Sequence, residues 1–249
     1  MDLLAKTREL FAARVRGREP DLSLRISVRP LSPVEAIGPT ADEDFPIRRG
    51  KEQVIEADFR GSRGQAFTDR PARWQGTLKD LLALDLEQVA DRAVFVAGLN
   101  AVMRSWDQAG GTLHCRNEDP ERCGPEIARI VRERFGETVR VGLIGLQPAL
   151  LRALVERFGA SSVTVSDLNP ENIGQRRSGV SVLDGERDLA QLVEACDAGL
   201  ATGSAIVNGT LDAIFGRFRS AGKPLVVYGN TIAGVAQLLG LERLCPYGR

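Results

Sequence analysis

His114 and Cys115 adjoin, and Cys123 follows eight positions after Cys115. His114 is the single histidine of the chain, so any imidazole chemistry falls on it. An imidazole, thiols and the neighbouring Glu118 and Asp119 make a ligand set for a soft or borderline transition metal. Their spacing is not that of a zinc knuckle, and adjacent side chains in a strand would point opposite ways. Cys245 can join them only through folding. The plain alternative is a pair of buried thiols and a satisfied histidine.

A second group of residues lies in loops that follow strand-like runs. The runs are Val139–Ile144, Val163–Ser166 and Asp197–Ala201. Behind them come Gly145-Leu146-Gln147-Pro148, then Asp167 to Asn172 with Asn169 inside it, then Thr202-Gly203-Ser204 leading to Asn208-Gly209-Thr210. Small residues let backbone approach a ligand, and the amides and hydroxyls can hydrogen-bond one. In open α/β sheets ligands bind beyond the carboxyl ends of the strands. Asp167 ends the second run, 22 residues after Gly145, near the place where dinucleotide folds put an acid on the ribose. The G-x-G-x-x-G fingerprint is absent, because Gln147 and Pro148 stand where glycines would be needed. The alternative is an ordinary scaffold turn, with Asn208 or Thr210 capping the next helix.

Arg48, Arg49 and Lys51, with Arg63, could clamp a carboxylate or phosphate, or could be a solvated face. Gln65, Thr68 and Asn100 are polar residues among apolar ones. Asn100 sits in an apolar helix, where a core hydrogen bond explains it as well as a ligand does.

The elements that must position these residues fall into two sets. In the first half, a helical stripe from Leu3 to Val15 precedes two strands, Leu22–Val28 and Val54–Phe59. A glycine-punctuated loop, Gly61 to Asp69, follows, and then helices over Leu78–Leu84 and Ala90–Trp106. This half reads as α+β. The polar segment Asn117–Pro125 is the best linker. It divides the chain into residues 1–120 and 121–249. A helix over Ile127–Phe135 comes next, and from Val139 strands and helices alternate to the end, which argues for an α/β domain on a parallel sheet.

Composition sets outer limits. The 249 residues carry 33 basic and 33 acidic side chains, leaving no strong field to attract nucleic acid or an anionic membrane. No apolar run reaches membrane-spanning length, and the first residues lack a signal-peptide core. A cytoplasmic protein with reduced thiols is expected, its partner a small molecule or metal ligand, with neither nucleic acid nor membrane. Oligomeric state stays open, a homo-oligomer included.

Taken together, several motifs resemble the family named for heavy-metal chelation. They include Arg49-Gly50-Lys51, Gly64-Gln65-Ala66-Phe67-Thr68, Leu99-Asn100-Ala101, His114-Cys115 and Gly145-Leu146-Gln147-Pro148. Asp167 through Gly174, Ala201-Thr202-Gly203-Ser204, Asn208-Gly209-Thr210 and Cys245-Pro246 complete the set. The resemblance runs from about residue 45 to the end. It implies an enolase-N-terminal-like α+β domain before a Rossmann-like domain, with a site in the cleft between them. It also implies metal chelation, linked to tetrapyrrole or corrinoid synthesis.

The leading expectation is a transition metal, or a metal-bearing small molecule, held by His114, Cys115 and Cys245. Gln147, Gly145, Asp167, Asn169, Thr202, Gly203, Ser204, Asn208 and Thr210 would hold its organic part, and Arg49 and Lys51 an anionic group. One rival is an enzyme using a nucleotide or adenosyl cofactor. The other is a metal-binding or delivery protein without turnover.

Overall fold

Residues Ala93 to Met103 of the helix Val89–Ser105 are buried without a break. A helix apolar on every side has to be enclosed on every side. In the computed structural model, which describes residues 2–38 and 52–249, this helix lies between two sheets.

The first sheet is antiparallel. Its strands are β1 (Arg25–Pro30), β2 (Gln53–Phe59), β3 (Ser62–Thr68) and β4 (Trp74–Thr77), in the order β3-β2-β1-β4. Arg60 and Gly61, both at positive φ, turn β2 into β3, as the right-handed twist of a two-residue hairpin requires. The segment expected to be a glycine-rich loop is therefore strand β3. Gly64 misleads because it serves packing: a Cβ there would stand 2.3 Å from the Ala101 nitrogen and 2.5 Å from the Ala97 oxygen. Strand β4 is too short and polar to show as a strand pattern.

The second sheet has seven strands. They are β5 (Val141–Ile144), β6 (Val163–Asp167), β7 (Arg176–Arg177), β8 (Val180–Asp184), β9 (Ala198–Thr202), β10 (Leu225–Tyr228) and β11 (Arg243–Leu244). Their order is β11-β10-β9-β5-β6-β8-β7, and every pairing is parallel except β7 with β8. The chain steps outward from β5 to β6 and β8, then returns to the other side of β5 at β9. Loops after β5 and β9 consequently diverge and open a crevice at that point. The fold is thus a mixed α/β structure with one parallel-containing sheet and a second, antiparallel one.

Helices Asp119–Phe135 and Pro148–Phe158 cover one face of the parallel sheet, closing over Val141, Leu143 and Val165. The segment expected as a linker opens the first of these helices. Pro120 costs little in a first turn, and Gly124 lets the Ala149 carbonyl approach to 2.6 Å of where a Cβ would be. Helices Leu189–Ala195, Ala205–Asn208, Leu211–Ser220 and Ala233–Leu239 belong to the other face, whose core runs on through Val89–Ser105 into the antiparallel sheet. No helix among the described residues is long and apolar enough to cross a membrane.

Asn100 sits at the centre of this continuous core with no exposed surface. Its amide nitrogen donates to the Gln65 carbonyl at 3.0 Å and the Thr231 carbonyl at 2.8 Å, and its oxygen accepts from Gly234 N–H at 2.8 Å. One side chain thereby joins β3 to the segment that follows β10. Thr231 adds a second tie, its hydroxyl accepting from Phe67 N–H at 3.1 Å. Of the two readings open for Asn100, the core hydrogen bond is the one observed. Replacing Asn100 by Leu strands three buried backbone groups. We expect a loss of about 2–4 kcal/mol in urea unfolding; a change below about 0.5 kcal/mol would show that the amide does not carry the junction.

Candidate functional site

A cavity of about 420 Å³ lies beyond the carboxyl ends of β5, β6, β9 and β10, walled on its far side by Glu52, just before β2, and by Phe67 and Thr68 at the end of β3. Of the residues expected at the site, Gly145, Gln147, Asp167, Asn169, Thr202, Gly203, Ser204, Asn208, Thr210, His114, Cys115 and Cys245 all border it. Arg49 and Lys51, with Arg48, lie outside the described residues.

The loops of the parallel sheet hold one another in place. Gly145 has φ +86°, and a Cβ there would meet the Thr202 methyl at 2.5 Å. Its N–H donates to the Ser166 carbonyl at 2.9 Å, and its carbonyl accepts from the Tyr228 hydroxyl at 2.6 Å. The glycine is thus required by backbone conformation and by Thr202. Asp167 accepts from Leu146 N–H at 2.6 Å, from Asn169 N–H at 2.7 Å and from the Asn172 amide at 3.3 Å. Oδ2 ties the end of β6 to the loop after β5, and Oδ1 closes the loop after β6. Gln147 caps helix Pro148–Phe158 by accepting from Leu150 N–H. Thr202 and Ser204 hydroxyls pair at 3.1 Å. Asn208 accepts from Thr210 N–H at 3.0 Å and from its hydroxyl at 2.7 Å, so Asn208 rather than Thr210 supplies the turn at that helix start.

At the other end stand His114 and the cysteines. Residues Thr112 to Cys115 run along the outer edge of β3: Gln65 N–H donates to the Thr112 carbonyl at 3.0 Å, and the Gln65 side chain accepts from His114 N–H at 2.8 Å. The segment bends at Leu113 and belongs to no strand, and His114 and Cys115 both border the cavity despite being adjacent. The His114 ring packs edge-on against Phe67, with centroids 5.2 Å apart. Its Nδ1 lies 2.5 Å from the Cys115 carbonyl, which can only accept, so Nδ1 carries the proton. Burial holds the ring below its ordinary pKa. It is therefore neutral near pH 7, with the Nε2 lone pair available.

Cys245 reaches this end because Leu113 and Arg249 exchange backbone hydrogen bonds at 2.9 and 3.0 Å. Cys123, on helix Asp119–Phe135, borders the same wall; the sequence grouped it with His114 and Cys115 but not among the three residues expected to hold a metal. Burial first, then Cys123 and Cys245, pushes Cys115 up; burial first, then Cys245, pushes Cys123 up to about 12. Burial also raises Cys245, against the pull of Arg243.

Three further residues escaped the sequence reading. Tyr228 is one of two tyrosines and ends a strand, which was its only signal. Ser166 is fully buried and its hydroxyl has no partner among the described residues. Glu52 faces Asp69 and Asp167 across the cavity. Burial, then Asp167, then Asp69, raises it from 4.5 to about 7. Nothing in its sequence neighbourhood marks it, because both carboxylates that act on it are remote in the chain.

Glu52 binds its proton more tightly when folded than when unfolded, so its contribution to stability is full below pH 4.5 and is lost as the pH rises through about 7. The Glu52→Gln variant stays neutral throughout. It should melt above the parent at pH 8, with the difference vanishing by pH 4.5. A difference independent of pH would rule out Glu52 ionisation as its cause.

Comparison with known proteins adds the following. The family model described as "Putative heavy-metal chelation" (DUF364) matches residues 130–240. A DUF364 protein of unknown function from Pyrococcus horikoshii superposes with a TM-score of 0.53 at 17% identity, covering 91% of this chain and 77% of its own. A second, from Desulfitobacterium hafniense, gives a TM-score of 0.47 at 13% identity, covering 75% of this chain and 72% of its own. No curated protein matches the chain. Residues 130–240 are thus similar to the DUF364 family, and the two solved structures of that family named above are described as of unknown function.

Proposed function

We propose that the cavity binds a transition metal, or a small molecule that carries one, with His114 as a ligand and Cys115 and Cys245 beside it. One observation carries this reading: the Cys115 carbonyl fixes the His114 proton on Nδ1 and leaves Nε2 as a lone pair at the cavity wall. Metal-binding histidines are commonly set in this way, the second ring nitrogen donating to a carbonyl. Thiols add the soft donors. The family description for residues 130–240 points the same way. Among the described residues no three of the His, Cys, Asp and Glu side chains already surround a common point. An ion would therefore draw the side chains in, or arrive with donors of its own.

The finer form of the proposal follows the family resemblance. Residues 1–120 form an enolase-N-terminal-like domain, and residues 121–249 a Rossmann-like one. The cavity is their shared cleft, and the cargo is a metallated tetrapyrrole or corrinoid. The strand order β8-β6-β5-β9-β10-β11 supports the Rossmann-like assignment. Gln147, Asn169, Thr202 and Asn208 would then face the organic portion.

Elemental analysis of tag-free protein, purified without oxygen or chelators, tests the reading. About one equivalent of nickel, cobalt, iron or zinc per chain is expected, absent from a His114→Ala/Cys115→Ala double variant. The single His114→Ala change should weaken affinity at least about tenfold with the melting curve preserved. Protein that holds no metal and takes up none would overturn it.

The same switch point supports a second reading, an enzyme with an adenosyl cofactor. The described wall bears the carboxylates of Glu52, Asp69 and Asp167 and no lysine or arginine. A cationic adenosyl sulfonium suits that field better than nucleotide phosphates do. S-adenosylmethionine should then raise the melting temperature, and ATP should not; no shift with either rejects this reading.

A further inference from the structure

Three side-chain amides border the cavity, one from each loop behind β5, β6 and β9: Gln147, Asn169 and Asn208. Each is half-buried, and each has its oxygen committed to its own loop. Gln147 Oε1 accepts from Leu150 N–H, Asn169 Oδ1 from Glu171 N–H at 3.0 Å, and Asn208 Oδ1 from Thr210 N–H at 3.0 Å. A backbone N–H can only donate, so these bonds decide which end of each amide turns back into its loop. The NH2 groups are left over, and none of the three has a hydrogen-bond partner among the described residues.

The backbone donors that open the same loops are already used. Gly145 N–H donates to the Ser166 carbonyl, Leu146 and Asn169 N–H to Asp167, and Gly203 N–H to the Tyr228 carbonyl at 2.8 Å. In α/β folds that bind nucleotides, amides at this place cradle a phosphate. Here the Asp167 carboxylate takes two of them, as an anion from outside would. A second anion would meet that charge, and Asp69 on the same wall, with those amides spent. Between the side-chain amides the wall is apolar, with Ile144, Leu150, Val207 and Ile214.

We infer that the organic ligand of this cavity presents neutral hydrogen-bond acceptors, carboxamide or lactam carbonyls on an apolar body, to the NH2 groups of Gln147, Asn169 and Asn208, and that Asp167 excludes phosphate and carboxylate groups. This rests on the reading above that the cavity holds a small molecule, and deepens it by naming the chemistry of the organic part. A neutral carbonyl accepts from an amide N–H without placing charge beside Asp167. Asp167 is then a specificity-determining residue as well as a loop tie.

Three probes on one ring test this with the full chain: nicotinamide, N,N-dimethylnicotinamide, which keeps the carbonyl and has no N–H, and nicotinate, which is an anion. Ligand-observed NMR titration should show both amides binding at least about tenfold more tightly than nicotinate. Gln147→Glu and Asn208→Asp keep an oxygen for the helix cap or turn and lose the NH2, so the loops stay formed. Each should weaken binding of both amides at least about tenfold, with the melting curve preserved. Nicotinate binding as tightly as the amides, failure of either amide to bind, or amide binding indifferent to both substitutions would overturn the inference. The comparison of probes on the unaltered protein stands whatever a variant does to folding. Elemental analysis of the same preparations separates the two readings. Metal-bearing protein that prefers nicotinate overturns this inference alone, and metal-free protein that takes up no metal yet prefers the amides overturns the metal reading alone.

Discussion

The structure hangs on one buried carboxamide. Helix Val89–Ser105 is enclosed by an antiparallel sheet on one side and the helices of a parallel sheet on the other. Two such layers could slide or separate if only apolar contacts joined them, because those contacts have no direction. Asn100 supplies direction. Its three hydrogen bonds reach β3 on one side and Thr231 and Gly234 on the other. A buried amide with all its neighbours satisfied favours one arrangement over nearby ones, since any shift leaves polar groups unpaired.

The cavity follows from that placement. With β3 held beside the segment after β10, its free edge is covered by Thr112–Cys115, and Gln65 fixes the His114 backbone there. The exchange between Leu113 and Arg249 then draws Cys245 to the same end. On the opposite side, the switch from β5 to β9 opens the crevice, and Asp167, Gly145 and Tyr228 tie its loops into a rigid rim. Polar loop residues here bond chiefly to each other. That arrangement lowers the ordering cost of binding, because the loops are already set.

The two ends of the cavity differ in kind. One has a neutral imidazole and three thiols; the other has the carboxylates of Glu52, Asp69 and Asp167 with few opposing charges among the described residues. Among the described residues the carboxylate end is therefore a region of negative field, and the thiol end is uncharged. Glu52 registers the same field, being held protonated to about pH 7 by burial and by its acidic neighbours.

Much was legible before any coordinates. Strand Leu225–Tyr228 and the helix over Pro148–Phe158 follow from local pattern, since hydrophobic period and cap residues act over a few positions. So do the loops after β5, β6 and β9, because a polar, glycine-bearing stretch behind a buried strand has few other uses. Other features depended on partners far along the chain. Gly64 reads as a loop residue until helix Val89–Ser105 is seen against it, and Pro120 and Pro125 read as linker until the helix around them packs on Ala149. Glu52 and Tyr228 left no local trace as residues of the cavity. The chain by itself determined which elements form and which loops face the crevice. Only tertiary structure decided that a histidine, three cysteines and three carboxylates share one cavity, since through-space proximity and desolvation are properties of the packed core rather than of neighbours in sequence.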